Sequence, residues 1–212
     1  MRRSITRVKK TIQRMAADDP HTESAPRSPR IIPERLSSLS NRTGFSNEEL
    51  RRLYREFKQH CPGGGARCGD LKPAYSKLFP LGDSTKYAQI VFNMFDRDKD
   101  GIISFSDLIT GLACIVKGDT DQKLSWIFGL YDIDGDGCIT RKEMIVIVSS
   151  IYEMIEDSRS MKSAVNDHVE RLFAKMDLNR DGVISKDEFF TSCKNDRIIC
   201  DQLNIFDHCF WW

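Results

Sequence analysis

The sequence predicts an all-α protein built from four helix-loop-helix units that pair two by two into two lobes. Loops of about twelve residues begin at residues 59, 96, 132 and 177, which gives a repeat of 36 to 45 residues. Apolar residues recur at helical spacing on both sides of each loop. Ile103 and Ile139 at loop position 8 predict short β-strands, and such a strand needs a partner from a second loop. The fold prediction therefore includes strand pairs between loops, followed by a C-terminal helix.

The most regular loop is Asp132–Glu143. Oxygen-bearing side chains fall at positions 1, 3, 5, 9 and 12, and glycine at position 6 permits a sharp bend. Because Ca²⁺ takes six to eight oxygen ligands, this spacing predicts a calcium site. A surface turn rich in aspartate is the alternative, but it explains neither the apolar position 8 nor the terminal glutamate. The predicted ligands are Asp132, Asp134, Asp136, the Cys138 carbonyl, Thr140 through a water, and both carboxylate oxygens of Glu143.

The fourth loop, Asp177–Glu188, repeats the calcium pattern. Glycine again stands at position 6, as Gly182, and the last residue is again a glutamate. We therefore expect a second calcium site in the same lobe. Its predicted ligands are Asp177, Asn179, Asp181, the Val183 carbonyl, Ser185 and Glu188.

The second loop, Asp96–Asp107, ends in aspartate. This side chain is one methylene shorter than glutamate, so contact through both oxygens is difficult, and a six-coordinate site favours Mg²⁺ over Ca²⁺. We expect Mg²⁺ or weakly bound Ca²⁺ here, and an empty loop is the alternative. The predicted ligands are Asp96, Asp98, Asp100, the Ile102 carbonyl, Ser104 and Asp107.

The first loop, Gln59–Asp70, lacks the ligand pattern. Only Asp70 supplies a carboxylate among its ligand positions, and Arg67 adds a positive charge. We expect this loop to bind no metal and to serve as the structural partner of the second loop. The helix that enters it begins with a predicted capping box, Ser46 with Glu49.

The chain divides by composition into four segments. Residues 1–43 are a variable, disordered basic segment, of which residues 16–43 are a linker rich in proline and serine. Residues 44–117 form the N-terminal lobe and residues 118–195 the C-terminal lobe. Residues 196–212 form an amphipathic helix with an apolar tail, which either packs on its own lobe or occupies a groove that a target can take over.

The first fifteen residues contain six basic residues and no acidic one. In a helix, Ile5, Val8, Ile12 and Met15 would form an apolar stripe beside these charges. This pattern suits an anionic membrane surface or a groove on a partner, and it also resembles a mitochondrial transit peptide. A solvated tail is the other interpretation. Arg2 stands where N-myristoylation requires glycine.

Composition restricts the class of protein. Charged residues make up 30% of the 212 residues and the net charge is +1, so we expect no binding of nucleic acid by the chain as a whole. No run approaches the ~20 apolar residues that span a bilayer. Seven cysteines without a C-x-x-C pair indicate reduced thiols, which predicts a cytoplasmic protein. The acidic clusters are accounted for as metal ligands and no catalytic motif is present, so we expect no enzyme.

Several segments resemble a known family. FKQHCP (57–62), with its degenerate loop followed by three metal-type loops, resembles the neuronal calcium sensors, EF-hand proteins in which a Cys-Pro pair disables the first loop. Within that group the chain is most similar to the Kv channel-interacting proteins. The segments that carry this similarity are PERL (33–36), ELRRLYREFK (49–58), YAQIVFNMFD (87–96), KLSWIFGLYDIDGDGCITRKEM (123–144), SIYEM (150–154) and HVERLFAKMDLNRDGVISKDEFF (168–190).

The resemblance implies a function and a partner. It predicts a regulatory subunit of A-type (Shal-class) voltage-gated potassium channels, which would hold the channel's cytoplasmic N-terminal segment in a hydrophobic groove at the cytoplasmic face of the plasma membrane. The expected groove or core residues are Tyr54, Phe57, Phe92, Phe95, Trp126, Ile127, Leu130, Tyr131, Ile151 and Phe173. The alternatives are a calcium-dependent nuclear transcriptional regulator, a calcium buffer without a target, and a regulator of another target such as a phosphatase or guanylate cyclase.

Overall fold

The computed structural model describes residues 34–78, 82–155 and 162–196. The basic N-terminal stripe and the predicted C-terminal helix lie outside these ranges, so both stay predictions. Two of the seven cysteines, Cys200 and Cys209, also lie outside these ranges.

Helices dominate the described ranges, and short strands occur only inside the loops. The elements are α1 (Leu36–Thr43), α2 (Asn47–His60), β1 (Gly65–Ala66), α3 (Cys68–Leu78), α4 (Thr85–Phe95), β2 (Ile103–Ser104), α5 (Phe105–Lys117), α6 (Thr120–Tyr131), β3 (Cys138–Thr140), α7 (Arg141–Ile155), α8 (Lys162–Met176), β4 (Val183–Ser185) and α9 (Lys186–Asn195). Helix α2 enters loop 1 and α3 leaves it. In the same way α4 and α5 flank loop 2, α6 and α7 flank loop 3, and α8 and α9 flank loop 4. The predicted all-α fold of four helix-loop-helix units is confirmed.

Each strand pairs with a strand of a neighbouring loop. Strands β1 and β2 are antiparallel, with Ala66 opposite Ile103, and β3 and β4 are antiparallel, with Ile139 opposite Ile184. These four residues all stand at loop position 8, and each is 0% exposed. The strand pairs that the sequence predicts therefore form, and they join loop 1 to loop 2 and loop 3 to loop 4.

Capping boxes begin most of the entering and exiting helices. The predicted box of Ser46 and Glu49 is present at α2, where each side chain accepts the other residue's backbone N–H. A similar box of Asp119 and Gln122 begins α6. Each box satisfies two N–H groups that a helix end leaves without a partner.

The described residues form two compact units. Unit 1 contains the residues up to Leu78 together with Val91–Gly118, and unit 2 contains residues 82–90 with the residues from Asp119 onward. The division falls within α4. Residues 82–90, which the sequence analysis places in the N-terminal lobe, thus cluster with the second unit.

Unit 1 includes a helix that the sequence analysis does not predict. The linker prediction is wrong over α1, because Leu39 is 1% exposed and Thr43 is also buried. Glu34 completes the contact, since its Oε2 accepts hydrogen bonds from Arg42 at 2.9 Å and from Ser106 of α5 at 2.7 Å. The buried residues Leu39 and Thr43 and a polar network around Glu34 thus order a segment whose composition favours a linker.

The aromatic core of unit 1 lies where α2 meets α5. Phe105 packs against Tyr54 and Phe57, with ring centroids 5.0 and 5.5 Å apart. Phe57 is 1% exposed, whereas Tyr54 is half-buried.

Unit 2 has its own core around the four helices of loops 3 and 4. Phe128 of α6 meets Phe189 of α9 edge to face, with centroids 5.4 Å apart. Helix α8, which enters loop 4, begins at Lys162. Val165, which is 5% exposed, supplies the additional apolar contact that extends the helix toward its N-terminus.

A close backbone approach in unit 2 involves Gly82, just before α4. A Cβ atom at this position would lie 2.3 Å from the carbonyl oxygens of Glu153 and Met154 at the end of α7. The N–H of Asp83 donates to the Glu153 carbonyl at 2.8 Å, and Lys86 pairs with the Glu153 carboxylate at 2.9 Å. The segment thereby caps the C-terminus of α7, and only glycine fits there.

We predict that Gly82→Ala destabilises the protein by about 1–3 kcal/mol, because the new methyl group must push the end of α7 away. Gly129→Ala is the matched control: no atom lies within 4 Å of its added Cβ. Since Gly129 lies exposed inside α6, its replacement should stabilise by about 0.5–1 kcal/mol. Chemical denaturation measures both changes. Equal effects of the two substitutions would contradict the packing assigned to Gly82.

Candidate metal centres

The four loops share one backbone frame. Glycine at position 6 has a positive φ in every loop: 95° at Gly64, 81° at Gly101, 88° at Gly137 and 91° at Gly182. The exiting helices α3, α5, α7 and α9 each begin at position 10 of their loop. The predicted register is therefore correct even for loop 1, which lacks the ligand pattern.

In loop 3 the acidic side chains converge. Asp132, Asp134 and Asp136 each offer a carboxylate oxygen, and these oxygens lie within 4.8 Å of one another. Backbone N–H groups hold them: Asp132 accepts from Gly135 at 2.9 Å and from Gly137 at 3.1 Å. Three convergent hard oxygens form part of the ligand set that Ca²⁺ requires.

Loop 4 repeats this arrangement with an amide at position 3. Asp177 accepts from the N–H of Asp181 at 3.1 Å and from that of Gly182 at 3.1 Å. The side-chain oxygen of Asn179 accepts from the Asp181 N–H at 2.9 Å. Asp181 in turn accepts from the Val183 N–H at 3.0 Å. The side chains of positions 1, 3 and 5 are thus fixed by the loop backbone, as they are in loop 3.

The glutamate at position 12 spans its loop. One oxygen of Glu143 accepts from the N–H of Thr140, and the other accepts from Ile133 at 2.9 Å and Asp134 at 3.4 Å, next to the end of α6. Glu188 makes the equivalent bonds to Leu178 and Asn179, at 3.0 and 3.1 Å. Each glutamate therefore connects the first residues of its loop, just after the entering helix, to the exiting helix of its unit.

Asp107 does not make this connection. Its Oδ2 accepts from the backbone N–H and the hydroxyl of Ser104, which closes a capping box at α5. Among the described residues no bond from Asp107 to the opposite side of loop 2 is found. The shorter side chain thus reaches the helix cap but not the end of α4.

Loop 2 nevertheless fits a cation. Asp96, Asp98 and Asp100 bring their oxygens within 4.8 Å of one another. Asp96 is 5% exposed, and its Oδ1 has no hydrogen-bond partner among the described residues. A buried carboxylate oxygen without a partner is costly, and a bound cation would satisfy it. The residues present thus fit a metal ion.

The position 12 carboxylates differ in acidity. Burial raises the pKa of Glu143 and of Glu188, but the hydrogen bonds that each accepts outweigh it, so both pKa values lie below normal. Burial also raises the pKa of Asp107, and the charges of Asp98 and Asp100 raise it further, so the net shift is upward. Because a ligand must be ionised to bind, protonation opposes cation binding at Asp107 up to a higher pH than it would for an ordinary aspartate.

Loop 1 has a structural reason to exclude metal. Position 4 is left-handed in the other loops, with φ of 60° at Lys99, 77° at Gly135 and 62° at Arg180. Loop 1 has Pro62 there, and the proline ring fixes φ near −65°. Helix α2 instead continues to His60, which is position 2 of the loop. The loop therefore cannot adopt the turn that gathers the ligands of positions 1 to 5.

Cys61 occupies position 3 of loop 1 and is 6% exposed. Burial, aided by the Asp70 charge, raises the pKa of its thiol to about 11. A neutral thiol cannot replace a carboxylate as a ligand for a hard cation. The geometry thus agrees with the expectation that loop 1 binds no metal.

The predicted ligand residues lie where the sequence pattern places them, but their ligand roles stay predictions. The carbonyl ligand roles assigned to Ile102, Cys138 and Val183 also stay predictions. The sequence analysis missed the left-handed position 4. Its signal was present in Pro62, because proline is the one residue that cannot adopt this conformation.

We predict that Glu143→Gln and Glu188→Gln each weaken Ca²⁺ binding at their own loop by roughly tenfold or more, because each removes an anionic ligand. The amide keeps the size of the side chain and can still accept hydrogen bonds, so the fold should persist. Calorimetric titration of each variant measures the loss. High-affinity binding that is unchanged in both variants would refute the ligand assignment.

We predict that Asp107→Glu gives loop 2 the reach of loops 3 and 4. Its calcium affinity should rise by roughly tenfold while its preference for Mg²⁺ falls, because both carboxylate oxygens could then reach the ion. Competition titrations with Ca²⁺ and Mg²⁺ measure this exchange. Asp70→Glu in loop 1 is the control and should create no site, since Pro62 remains.

No helix of the described ranges is both long and apolar enough to cross a membrane.

Family models match two parts of the chain. One, described as an EF-hand domain pair, matches residues 121–194, which contain loops 3 and 4. Another, described as an EF-hand domain, matches residues 87–117, which contain loop 2. Such domains indicate calcium binding and a regulatory protein rather than an enzyme. These matches and the geometry of the loops show that the chain contains EF-hand domains.

Proposed function

We propose that the protein is a calcium sensor that acts as a regulatory subunit of A-type voltage-gated potassium channels. Loops 3 and 4 bind Ca²⁺, and loop 2 holds Mg²⁺ or weakly bound Ca²⁺. The observation that carries the sensor role is the bridge that Glu143 and Glu188 make between the start of their loop and the exiting helix.

This bridge links the ion to the helices. An ion that takes both oxygens of Glu143 must compete with the N–H groups of Ile133 and Asp134, which are the second and third residues of loop 3. The first turn of α7 must then move relative to the end of α6. In sensor proteins, Ca²⁺ binding reorients the EF-hand helices and exposes apolar surface. In calcium buffers, the helices barely move when Ca²⁺ binds. The bridge therefore favours a sensor over a calcium buffer.

The apolar residues suggest what the exposed surface binds. Of the ten residues expected in a groove or core, seven are buried: Phe57, Phe92, Phe95, Leu130, Tyr131, Ile151 and Phe173. Tyr54, Trp126 and Ile127 are half-buried. Partly exposed aromatic and aliphatic side chains on a helix suit an amphipathic helical target. The groove is therefore assigned to α6 of unit 2, which carries Trp126 and Ile127, whereas Tyr54 belongs to unit 1.

The choice of channel comes from the resemblance to the Kv channel-interacting proteins. The target is the channel's cytoplasmic N-terminal segment, which brings the protein to the cytoplasmic face of the plasma membrane. The basic N-terminal residues add contact with anionic lipid, because clustered Lys and Arg side chains are attracted to that surface. Nucleic acid has no place in this proposal, since the net charge of the chain is +1.

Two measurements test the proposal. Calcium should increase the fluorescence of an apolar dye in the wild-type chain, and the double variant Glu143→Gln with Glu188→Gln should lose that increase. A pull-down of the channel's N-terminal segment with and without Ca²⁺ then tests the target directly. A chain that binds Ca²⁺ without any gain in dye binding would be a buffer.

We predict that co-expression with a Shal-class channel changes current density or inactivation, and that Ile127→Ser reduces this effect severalfold by removing an apolar contact. Leu178→Ser is the control, because Leu178 is an apolar residue of the same unit that is 58% exposed in loop 4. Patch-clamp recording measures the currents. Currents that do not respond to the wild-type chain would exclude this channel class as the target.

A further inference from the structure

Arg141 of loop 3 contacts loop 4 and the helix that enters it. This residue stands at position 10 of loop 3 and is the first residue of α7. Its guanidinium carbon lies 4.3 Å from the centroid of the Phe173 ring. Its Nε lies 3.5 Å from a carboxylate oxygen of Glu170, and its Nη1 donates to the Gly182 carbonyl at 3.4 Å. One side chain of loop 3 thus meets three residues of the neighbouring EF-hand.

Two of these residues hold the first ligand position of loop 4. The carbonyl of Phe173 accepts from the backbone N–H of Asp177 at 2.9 Å. The N–H of Gly182 donates to Oδ2 of Asp177 at 3.1 Å. Phe173 is 0% exposed, and Gly182 is the left-handed pivot of the loop. The contacts of Arg141 therefore lead directly to the backbone and the carboxylate of Asp177.

The strand register explains why this residue reaches Gly182. Antiparallel pairing places Thr140 opposite Val183, so Arg141 would face Gly182 in the next pair. The backbone ladder ends there because α7 begins at Arg141. The guanidinium continues the ladder with a side-chain bond, and the cation lies over an aromatic face as such pairs prefer.

The equivalent residues of loops 2 and 4 behave differently. Lys186, at position 10 of loop 4, lies 5.7 Å from the ring of Phe190 on its own helix α9. Phe105, at position 10 of loop 2, is 6% exposed and packs in the core of unit 1. Arg141 thus makes a polar connection from loop 3 to loop 4 that Lys186 is not seen to return within the described ranges.

We infer that Arg141 is a positioning residue that couples ion binding at loop 3 to ion binding at loop 4. The inference rests on the proposed calcium binding of these two loops. Arg141 and Glu143 lie in the same first turn of α7, so an ion that moves Glu143 also moves the guanidinium. The displacement reaches Phe173 and Gly182 and prepares Asp177. Binding at one loop then raises the affinity of the other, and by linkage the effect is reciprocal.

The test is a calorimetric Ca²⁺ titration of the full chain at saturating Mg²⁺, which resolves the stepwise constants of loops 3 and 4. The wild-type chain should bind its second ion more tightly than its first. Arg141→Met keeps most of the aliphatic packing but loses the cation, so two ions should still bind while the ratio of the stepwise constants falls about tenfold. Arg141→Lys keeps a cation over Phe173 and should restore part of the ratio.

Lys186→Met is the matched control. It removes the same charge from the same loop position in the same unit, and it should leave the ratio of the constants unchanged. A second readout needs no calcium: in the ion-free chain, Arg141→Met should speed the hydrogen exchange of the Gly182 amide severalfold, whereas Lys186→Met should not. Should the methionine variant fail to fold, Arg141→Lys carries both measurements against the wild-type chain.

Each remaining outcome has a definite meaning. An unchanged ratio in Arg141→Met, an equal fall in Lys186→Met, or independent binding in the wild-type chain overturns the coupling while calcium binding stands. If no calcium binds to the wild-type chain, the proposed function itself fails. If both stepwise constants rise together, the guanidinium acts only as a repelling charge, and the positioning role is overturned.

Discussion

The rest of the structure depends on the contact between the buried residues at position 8 of two paired loops. Ala66 meets Ile103 in one unit and Ile139 meets Ile184 in the other, all without exposure to solvent. A strand of two or three residues is not stable alone, so each loop needs its partner. This explains why loop 1 persists without its ligands. A small residue at Ala66 is enough to pair with Ile103 and to hold loop 2 in place.

The same side chains serve two purposes in the metal loops. The capping box that begins an exiting helix uses the carboxylate of position 12, and this group is also a predicted metal ligand. Helix formation thus places the last ligand before any ion arrives, which lowers the conformational entropy lost on binding. The second carboxylate oxygen of the position 12 residue differs between the loops. In Glu143 it spans the loop, whereas in Asp107 it does not reach the end of the entering helix.

Much of this fold could be predicted because ligand geometry constrains residue spacing. Oxygens at fixed positions and glycine at position 6 specify the loop, and a loop that needs a partner specifies the pairing. What could not be predicted depends on contacts distant in sequence. Helix α1 is ordered by Leu39 and by the bond between Glu34 and Ser106, and neither contact leaves a periodic pattern. The constraint at Gly82 arises from the end of α7, about seventy residues away.

Backbone conformation at position 4 separates loops 2, 3 and 4 from loop 1. Lys99 and Arg180 adopt a left-handed conformation that costs of order 1 kcal/mol for a residue with a side chain, whereas Gly135 adopts it freely. Loops 2 and 4 therefore store strain that loop 3 does not. A bound cation offsets this strain, because the turn at position 4 is what brings positions 1, 3 and 5 together. Loop 3 is thus the best preorganised of the three, and the reciprocal coupling through Arg141 would join this relaxed loop to the strained loop 4.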